Sequence, residues 1–441
     1  MIVMKFGGSS VGNAARIMQV AGIVKGRLRK KPVVVVSAVG GITDKLEKLG
    51  ANAASHKPWK RDVEEILGRH EEIIAKLGLD HKLIDRDAYF LRGVVERVAK
   101  ARELSGANEA RLLSFGERAS TKLLSGALQS LGVDSSAHNA YDVGMLTDRA
   151  YREAKILPES HGLLHKSIKK LPGVPVITGF LGRTKGGEVT TLGRGGSDIT
   201  ASVVGAALGA REIEIWTDVS GVMTSDPRMV PGAWPVRKLS FGEAAELAYF
   251  GARVLHPKTI APAIKESIPV RVLNTFEPQD RGTLIVPRSR ETGIVAKAIA
   301  HKKGVTAVIV NSLRMLDAHG FLARVFEIFR KYKVSVDMIT TSEVSISLTV
   351  DDPVNLAPAI GELREFAEVS TLPRRAIVCV VGEGIKRMRA MAGRIFSCLG
   401  REDINVEMIS QGASEINISF LVRENAVKSA VLALHRDFFG K

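Results

Sequence analysis

Cysteine and aromatic residues are scarce in this chain. Its 441 residues include 2 cysteines, Cys379 and Cys398, and 5% aromatic residues. Two cysteines allow at most one disulfide and match no zinc-ligand spacing, which excludes a disulfide framework and a zinc module. A reducing, cytoplasmic setting is expected. So few rings argue against base-stacking platforms. The 10 histidines are scattered and form no HExxH pair. No run of about 18 uninterrupted apolar residues occurs, so no membrane-crossing helix is expected. The N-terminus has no charged leader ahead of an apolar core, so no secretory signal is expected either. Basic residues outnumber acidic ones, 63 to 47, a net charge of +16. No nucleic-acid recognition motif accompanies that charge. Neither nucleic acid nor membrane is therefore an expected partner. A solvated basic surface, or attraction of anionic substrates, accounts for it.

What is present is a globular composition, 45% hydrophobic and 25% charged, long enough for two or three domains. The first part alternates strand and helix signals. Ile2 to Phe6 reads as a strand, Ala14 to Arg29 as a helix and PVVVVSAVGG (32–41) as a buried strand ending in a turn of small residues. A long helical stretch is expected from Asp44 to about Lys100, then a helix through LLSFGERASTKLLSGAL, then strands at VPVITGF (174–180) and EIEIWTD (212–218). Such alternation predicts an open, mostly parallel sheet with helices on both faces. Ligands of such sheets sit beyond the carboxyl ends of the strands. KFGGSS, SAVGGIT, TGFLGRTKGG and TDVSGV each follow one of these strands. Four such turns at one end of the sheet predict a single shared site.

The loops are not familiar nucleotide fingerprints. KFGGSS (5–10) lacks GxxxxGK[ST], and its lysine precedes the glycines; GRGGSD and GEGIKR each miss the last glycine of GxGxxG. KFGGSS can instead offer backbone N–H groups at a helix start as a nest for phosphate oxygens, with Lys5 as a point charge and Ser9 or Ser10 as a cap. In TLGRGGSDITA (191–201), Arg194 lies among glycines, where its fork suits a carboxylate or phosphate, and Ser197 and Asp198 are N-cap candidates. Glu117 stands in an otherwise apolar, small-residue helix, either solvated or paired with a ligand's cation.

Near residue 285 the pattern changes, and the remainder holds a repeat. VFEIFRKYKVSVDMITTSEVSIS (325–347) and IFSCLGREDINVEMISQGASEINIS (395–419) both read helix, turn, strand, strand. Each copy, with the strand before it, makes a ferredoxin-like β-α-β-β unit.

KFGGSS, SFGE, TLGRGGSD, WTDVSGVMTSDPR (216–228) and FGARVLHPKT (250–259) resemble, in order and spacing, the motifs of the aspartate kinases, and the repeat is similar to their paired ACT modules. The resemblance covers essentially the whole chain. It implies an amino acid kinase domain over residues 1–285, with an aspartate-binding N-terminal part and a nucleotide-binding part from about 190. ACT modules are implied at 304–370 and 376–441, the second completed by a strand from 293–303. It implies transfer of the γ-phosphoryl group of ATP, with Mg²⁺, to the β-carboxylate of L-aspartate, the first step toward lysine, threonine, methionine and isoleucine. Lys5, Gly7, Gly8 and Ser9 then cradle phosphate. Ser37, Thr43, Glu117, Phe180, Arg194 and Ser197 surround aspartate, and Asp198 organises the loop. Thr217, Asp218, Arg228 and Arg253 contact the nucleotide. Arg253 stands where relatives commonly carry lysine and Met223 where some carry tyrosine. No protein ligand for Mg²⁺ is implied. Met315, Asp337, Thr341, Ser342 and Glu343 match an effector site for lysine, with threonine as the other choice, Asp337 receiving the ammonium. A homodimer or larger homo-oligomer through the ACT modules is implied, and no fused homoserine dehydrogenase is expected. Two alternatives stay open: a related kinase of another carboxylate, and a non-catalytic regulatory subunit.

Overall fold

The computed structural model describes residues 1–251, 255–289, 296–315, 319–351, 354–385, 388–411 and 416–440. The chain divides into two compact units, Met1–Val222 with Val254–Arg288, and Met223–Arg253 with Ser289–Lys441.

In the first unit seven strands run in the order Ser135–His138, Val174–Thr178, Pro32–Val36, Ile2–Phe6, Ile213–Thr217, Val270–Asn274, Thr283–Val286. Every neighbouring pair is parallel except the last. Strands covered on two faces are apolar throughout, and all five residues of Pro32–Val36 are buried. Each such valine contributes about 2 kcal/mol by burial. Helices Ala14–Lys25, Ile42–Ala54 and Gly106–Ser130 join Met4, Phe6, Val34 and Val36 in one core. The expected α/β class, with its mostly parallel sheet, is what the chain adopts.

The long helical stretch expected from Asp44 to about Lys100 is made of three helices, Ile42–Ala54, Lys60–Leu77 and Asp85–Ala101. The first ends before Lys57–Pro58, and the second stops at Gly78, whose φ of 64° is left-handed.

The second unit is built on a six-stranded sheet in the order Val336–Thr341, Ser345–Val350, Ala298–Asn311, Glu368–Val381, Asn417–Arg423, Met408–Ser410. Its two central strands have 14 residues each and pair antiparallel, with register shifts between Lys303 and Val305 and between Val305 and Ala307. Both halves of the repeat therefore share them. Thr306–Asn311 pairs with Ser345–Val350 in one half, and Ala376–Val381 pairs with both Ala298–Lys303 and Asn417–Val422 in the other. Helices Phe321–Lys331 and Leu356–Leu363 bury the first half; Met391–Arg401 and Val427–Phe439 bury the second. The segment Met223–Arg253, expected within the catalytic domain, groups with this unit. Its Trp234 ring lies edge-on to His435 at 5.5 Å and to Phe439 at 5.8 Å, and Asn417 donates to Glu246 Oε2 at 2.5 Å.

Candidate active site

The glycine loops meet at the carboxyl ends of adjacent parallel strands of the first unit. Gly7 N–H donates to Trp216 O at 3.2 Å, Ser37 N–H to Phe6 O at 3.1 Å, Gly40 N–H to Gly8 O at 3.0 Å and Gly179 N–H to Val36 O at 2.9 Å. A Cβ on Gly8 would stand 2.9 Å from Ala38 O, so only glycine lets the first two loops touch.

Neither Ser9 nor Ser10 caps a helix. A 3₁₀ turn, Gly8–Val11, follows the strand, and the next helix is capped by Asn13, whose side chain accepts from Arg16 N–H. Ser10 is buried and shares a 2.7 Å hydrogen bond with Thr275. Ser197 and Asp198 are not caps either. The helix Gly196–Leu208 has left-handed Gly195 (φ 71°) as its cap, so both residues sit inside its first turn. That leaves Asp198 free for Lys5, and the two pair at 2.6 Å with side chains 17% and 12% exposed. Thr43 likewise lies in the first turn of Ile42–Ala54, not in the loop before it.

Glu117 is fixed by close packing. A Cβ on Gly116 would be 2.6 Å from Ala38 Cβ, so the Gly106–Ser130 helix presses directly on the second loop. There Glu117 Oε1 accepts from Ala38 N–H at 3.2 Å, while buried Oε2 has no hydrogen-bond partner among the described residues. Burial pushes its carboxyl up to about 8, against the bond from Ala38. Once ionised, a carboxylate this buried calls for a cation.

Phe180 has a φ of 63°, a left-handed conformation uncommon for an aromatic residue, held by Thr200, whose Oγ1 accepts from Phe180 N–H at 3.1 Å. Ser197 is buried, and a Cβ on Gly179 would fall 2.4 Å from its hydroxyl. Arg194 is exposed and makes no hydrogen bond or ion pair with a described residue. Thr217 ends its strand and donates to exposed Asp218 at 3.1 Å.

Lys5, Gly7, Gly8, Ser9, Ser37, Thr43, Glu117, Phe180, Arg194, Ser197, Asp198, Thr217 and Asp218 all belong to the first unit. Arg228 belongs to the second, where it holds Asp226 at 2.7 Å. Arg253 lies outside the described residues. Thr200, which locks Phe180, and Thr275, which anchors Ser10, escaped sequence reading because their partners are distant in sequence.

In the second unit, Met315 closes a 3₁₀ turn, Ser342 shares a 2.7 Å bond with Ser345, and Thr341 and Glu343 are exposed. Asp337 differs from expectation. Its carboxylate already accepts from Lys302 Nζ at 2.9 Å and from the Tyr249 hydroxyl.

A lysine–aspartate pair and a buried carboxylate lie beside glycine loops at the rim of a parallel sheet, an arrangement suited to a small charged ligand. The amino acid kinase family model matches residues 1–274, and an ACT domain model matches 308–354 and 378–438. The chain is 40% identical to aspartokinase 1, chloroplastic, of Arabidopsis thaliana over 455 residues, 99% of this chain and 80% of that one. Escherichia coli aspartokinase III, solved with aspartate and ADP in the R-state, matches with a TM-score of 0.81 at 34% identity, over 100% of both chains. The same enzyme solved with lysine and aspartate in the T-state matches with a TM-score of 0.81 at 34% identity, over 100% of this chain and 99% of that one. The chain belongs to the amino acid kinase family and, within it, to the aspartate kinases.

Proposed function

We propose that this enzyme binds L-aspartate by its ammonium at Glu117 and by its α-carboxylate at Arg194, and makes 4-phospho-L-aspartate and ADP from it and ATP. The observation that carries the reading is the unpartnered, buried Oε2 of Glu117. An acetylated or non-amino-acid substrate would leave that carboxylate without its cation. The β-carboxylate oxygen forms the new P–O bond as the bond to the β-phosphate breaks, and no proton has to be removed from the nucleophile. The protein's task is to hold two anions together and to stabilise charge on the moving group. Lys5 and the N–H groups of Gly7, Gly8 and Ser9 suit that task. Asp198 orients Lys5. Phe180, Ser37, Thr43 and Ser197 shape the aspartate pocket, and Thr217, Asp218, Arg228 and Arg253 meet the nucleotide.

Mg²⁺, held largely by phosphate oxygens and water, would neutralise phosphate charge. Among the described residues no group of three or more His, Cys, Asp or Glu could hold a metal.

The product feeds lysine, threonine, methionine and isoleucine synthesis in the cytoplasm, and an amino acid bound at the first ACT half inhibits the enzyme. Lysine is favoured, since the matching E. coli enzyme was solved with lysine; threonine is the second choice. Met315, Asp337, Thr341, Ser342 and Glu343 are the proposed contacts. The exposed Ile339 and Ile409 on the two edge strands support a homodimer through this unit.

The test is aspartyl hydroxamate formation from ATP, Mg²⁺, L-aspartate and hydroxylamine, with and without lysine or threonine. Lys5→Ala should lower turnover about 10³-fold while aspartate binding changes little. Near-normal turnover would remove Lys5 from its role, and product with another carboxylate but not aspartate would overturn the substrate.

A further inference from the structure

The second unit holds a charge cluster that phosphoryl transfer does not use. The Asp337 side chain is 2% exposed and Lys302 Nζ lies 2.9 Å from its Oδ2. Tyr249 donates its hydroxyl to the other oxygen, Oδ1. Lys302 Nζ also lies 2.7 Å from Asp351 Oδ2, whose side chain is 39% exposed, and 5.1 Å from the centre of the Tyr249 ring. Burial disfavours the Lys302 ammonium, but its bonds to Asp337 and Asp351 outweigh this and raise its pKa, so it stays charged.

Tyr249 is the last residue of the helix Phe241–Tyr249, and its ring meets Phe250 at a right angle, 5.1 Å away. At Gly251, φ is 109° and a Cβ would fall 2.4 Å from His301 O, the residue before Lys302. The end of this helix thus lies against the central strand at His301 and Lys302, and its Tyr249 hydroxyl bonds Asp337 on the edge strand. Four residues beyond Tyr249 in sequence comes Arg253.

Resting on the effector reading above, we propose that Lys302 is a tethered stand-in for the effector's ammonium, and that the effector acts by displacing it. Two ammonium groups on one buried carboxylate repel. Lys302 has a second partner in Asp351, so a side-chain rotation resolves the conflict. The effector then takes Asp337, Lys302 moves wholly to Asp351, and Tyr249 loses its undivided acceptor. The helix end is released from the strand. A ligand shifts an equilibrium only by its differential affinity for the two states, and the exchange at Asp337 supplies such a difference.

Calorimetric titration of the full-length chain with L-lysine and L-threonine tests this. Lys302→Met removes the competitor while keeping an apolar stem, and should bind the effector at least about tenfold tighter than wild type. Tyr249→Phe should bind it at least as tightly as wild type, yet lose more than about half of the maximal inhibition. Effector binding to wild type with an unchanged or weaker constant in Lys302→Met overturns the inference alone. Full inhibition in Tyr249→Phe removes the transmission through the helix end. No binding of either amino acid to wild type or to Lys302→Met overturns the effector reading together with this inference. Should Lys302→Met fail to fold, Asp351→Asn makes the opposite prediction. Lys302 then has no second partner, and effector binding weakens about tenfold; an unchanged constant overturns the proposal.

Discussion

Glu117 and Asp337 are both buried carboxylates, and sequence reasoning gives each a ligand's ammonium. Their surroundings differ. Glu117 accepts one backbone N–H and has a second oxygen without a partner among the described residues, and burial holds its acid form to about pH 8. Asp337 is engaged on both oxygens by Lys302 and Tyr249. On the proposed reading Glu117 receives a cation, whereas Asp337 has to exchange a cation it already holds. The first arrangement favours tight, direct recognition; the second makes binding inseparable from a rearrangement.

The contrast breaks most visibly at Glu117. Glu117→Gln should weaken aspartate at least about a hundredfold, because the substrate ammonium would be buried without its counter-charge. ATP affinity should stay near wild type. Since the acid is already neutral below about pH 8, the substitution should change thermal stability little. Kinetics at saturating ATP with a thermal melt check both halves; an unchanged aspartate KM would end the assignment.

Asp337→Asn should reverse that pattern. It removes the buried anion from Lys302 and Tyr249 and should cost about 2 kcal/mol, softened because Asp351 remains. The melting temperature should fall, while the aspartate KM, measured without effector, moves far less than in Glu117→Gln. A melt unchanged from wild type would show that the cluster around Lys302 contributes nothing.

The smallest effect is on pH dependence. Unfolded Glu117 ionises near its ordinary 4.5, whereas folded Glu117 holds its proton to about 8. The folded state binds the extra proton between those limits, so this group's contribution to stability declines as pH rises through that window. Aspartate binding requires the ionised form, so affinity runs the other way. The aspartate KM should fall about tenfold between pH 6 and 7, with proton release on binding. Glu117→Gln should flatten that slope, and a slope that survives the substitution would place the titrating group elsewhere.

Much of the catalytic unit was legible because its signals are local. Strands of consecutive valines and the glycine loops after them name the sheet and the end of it that carries the site. Cap chemistry was read less well. Ser9 and Ser10 look like caps, but the 3₁₀ turn Gly8–Val11 comes between strand and helix and passes the role to Asn13. Ser197 and Asp198 look like caps until Gly195 takes that position with a left-handed backbone. The helix breaks after Ala54 and Leu77 fall at local signals, Pro58 and Gly78, within a stretch that reads as helical throughout. Lys302 was invisible as a partner of Asp337, because 35 residues and an intervening strand separate them. The grouping of Met223–Arg253 with the ACT halves depends on Trp234 meeting His435 and Phe439, contacts with no local trace in the sequence.

The two 14-residue strands of the regulatory sheet set the terms for re-engineering it. Neither half of the repeat owns its central pair, so a module cut out at the repeat boundary would leave with half a ladder. Gly304 and Arg374, with φ of 75° and 56°, stand on the two strands where the ladder changes register. A chimera that trades one half for that of a relative with a different effector has its natural seams there, on both strands at once. Grafts joined elsewhere would carry a donor's ladder into a recipient's register.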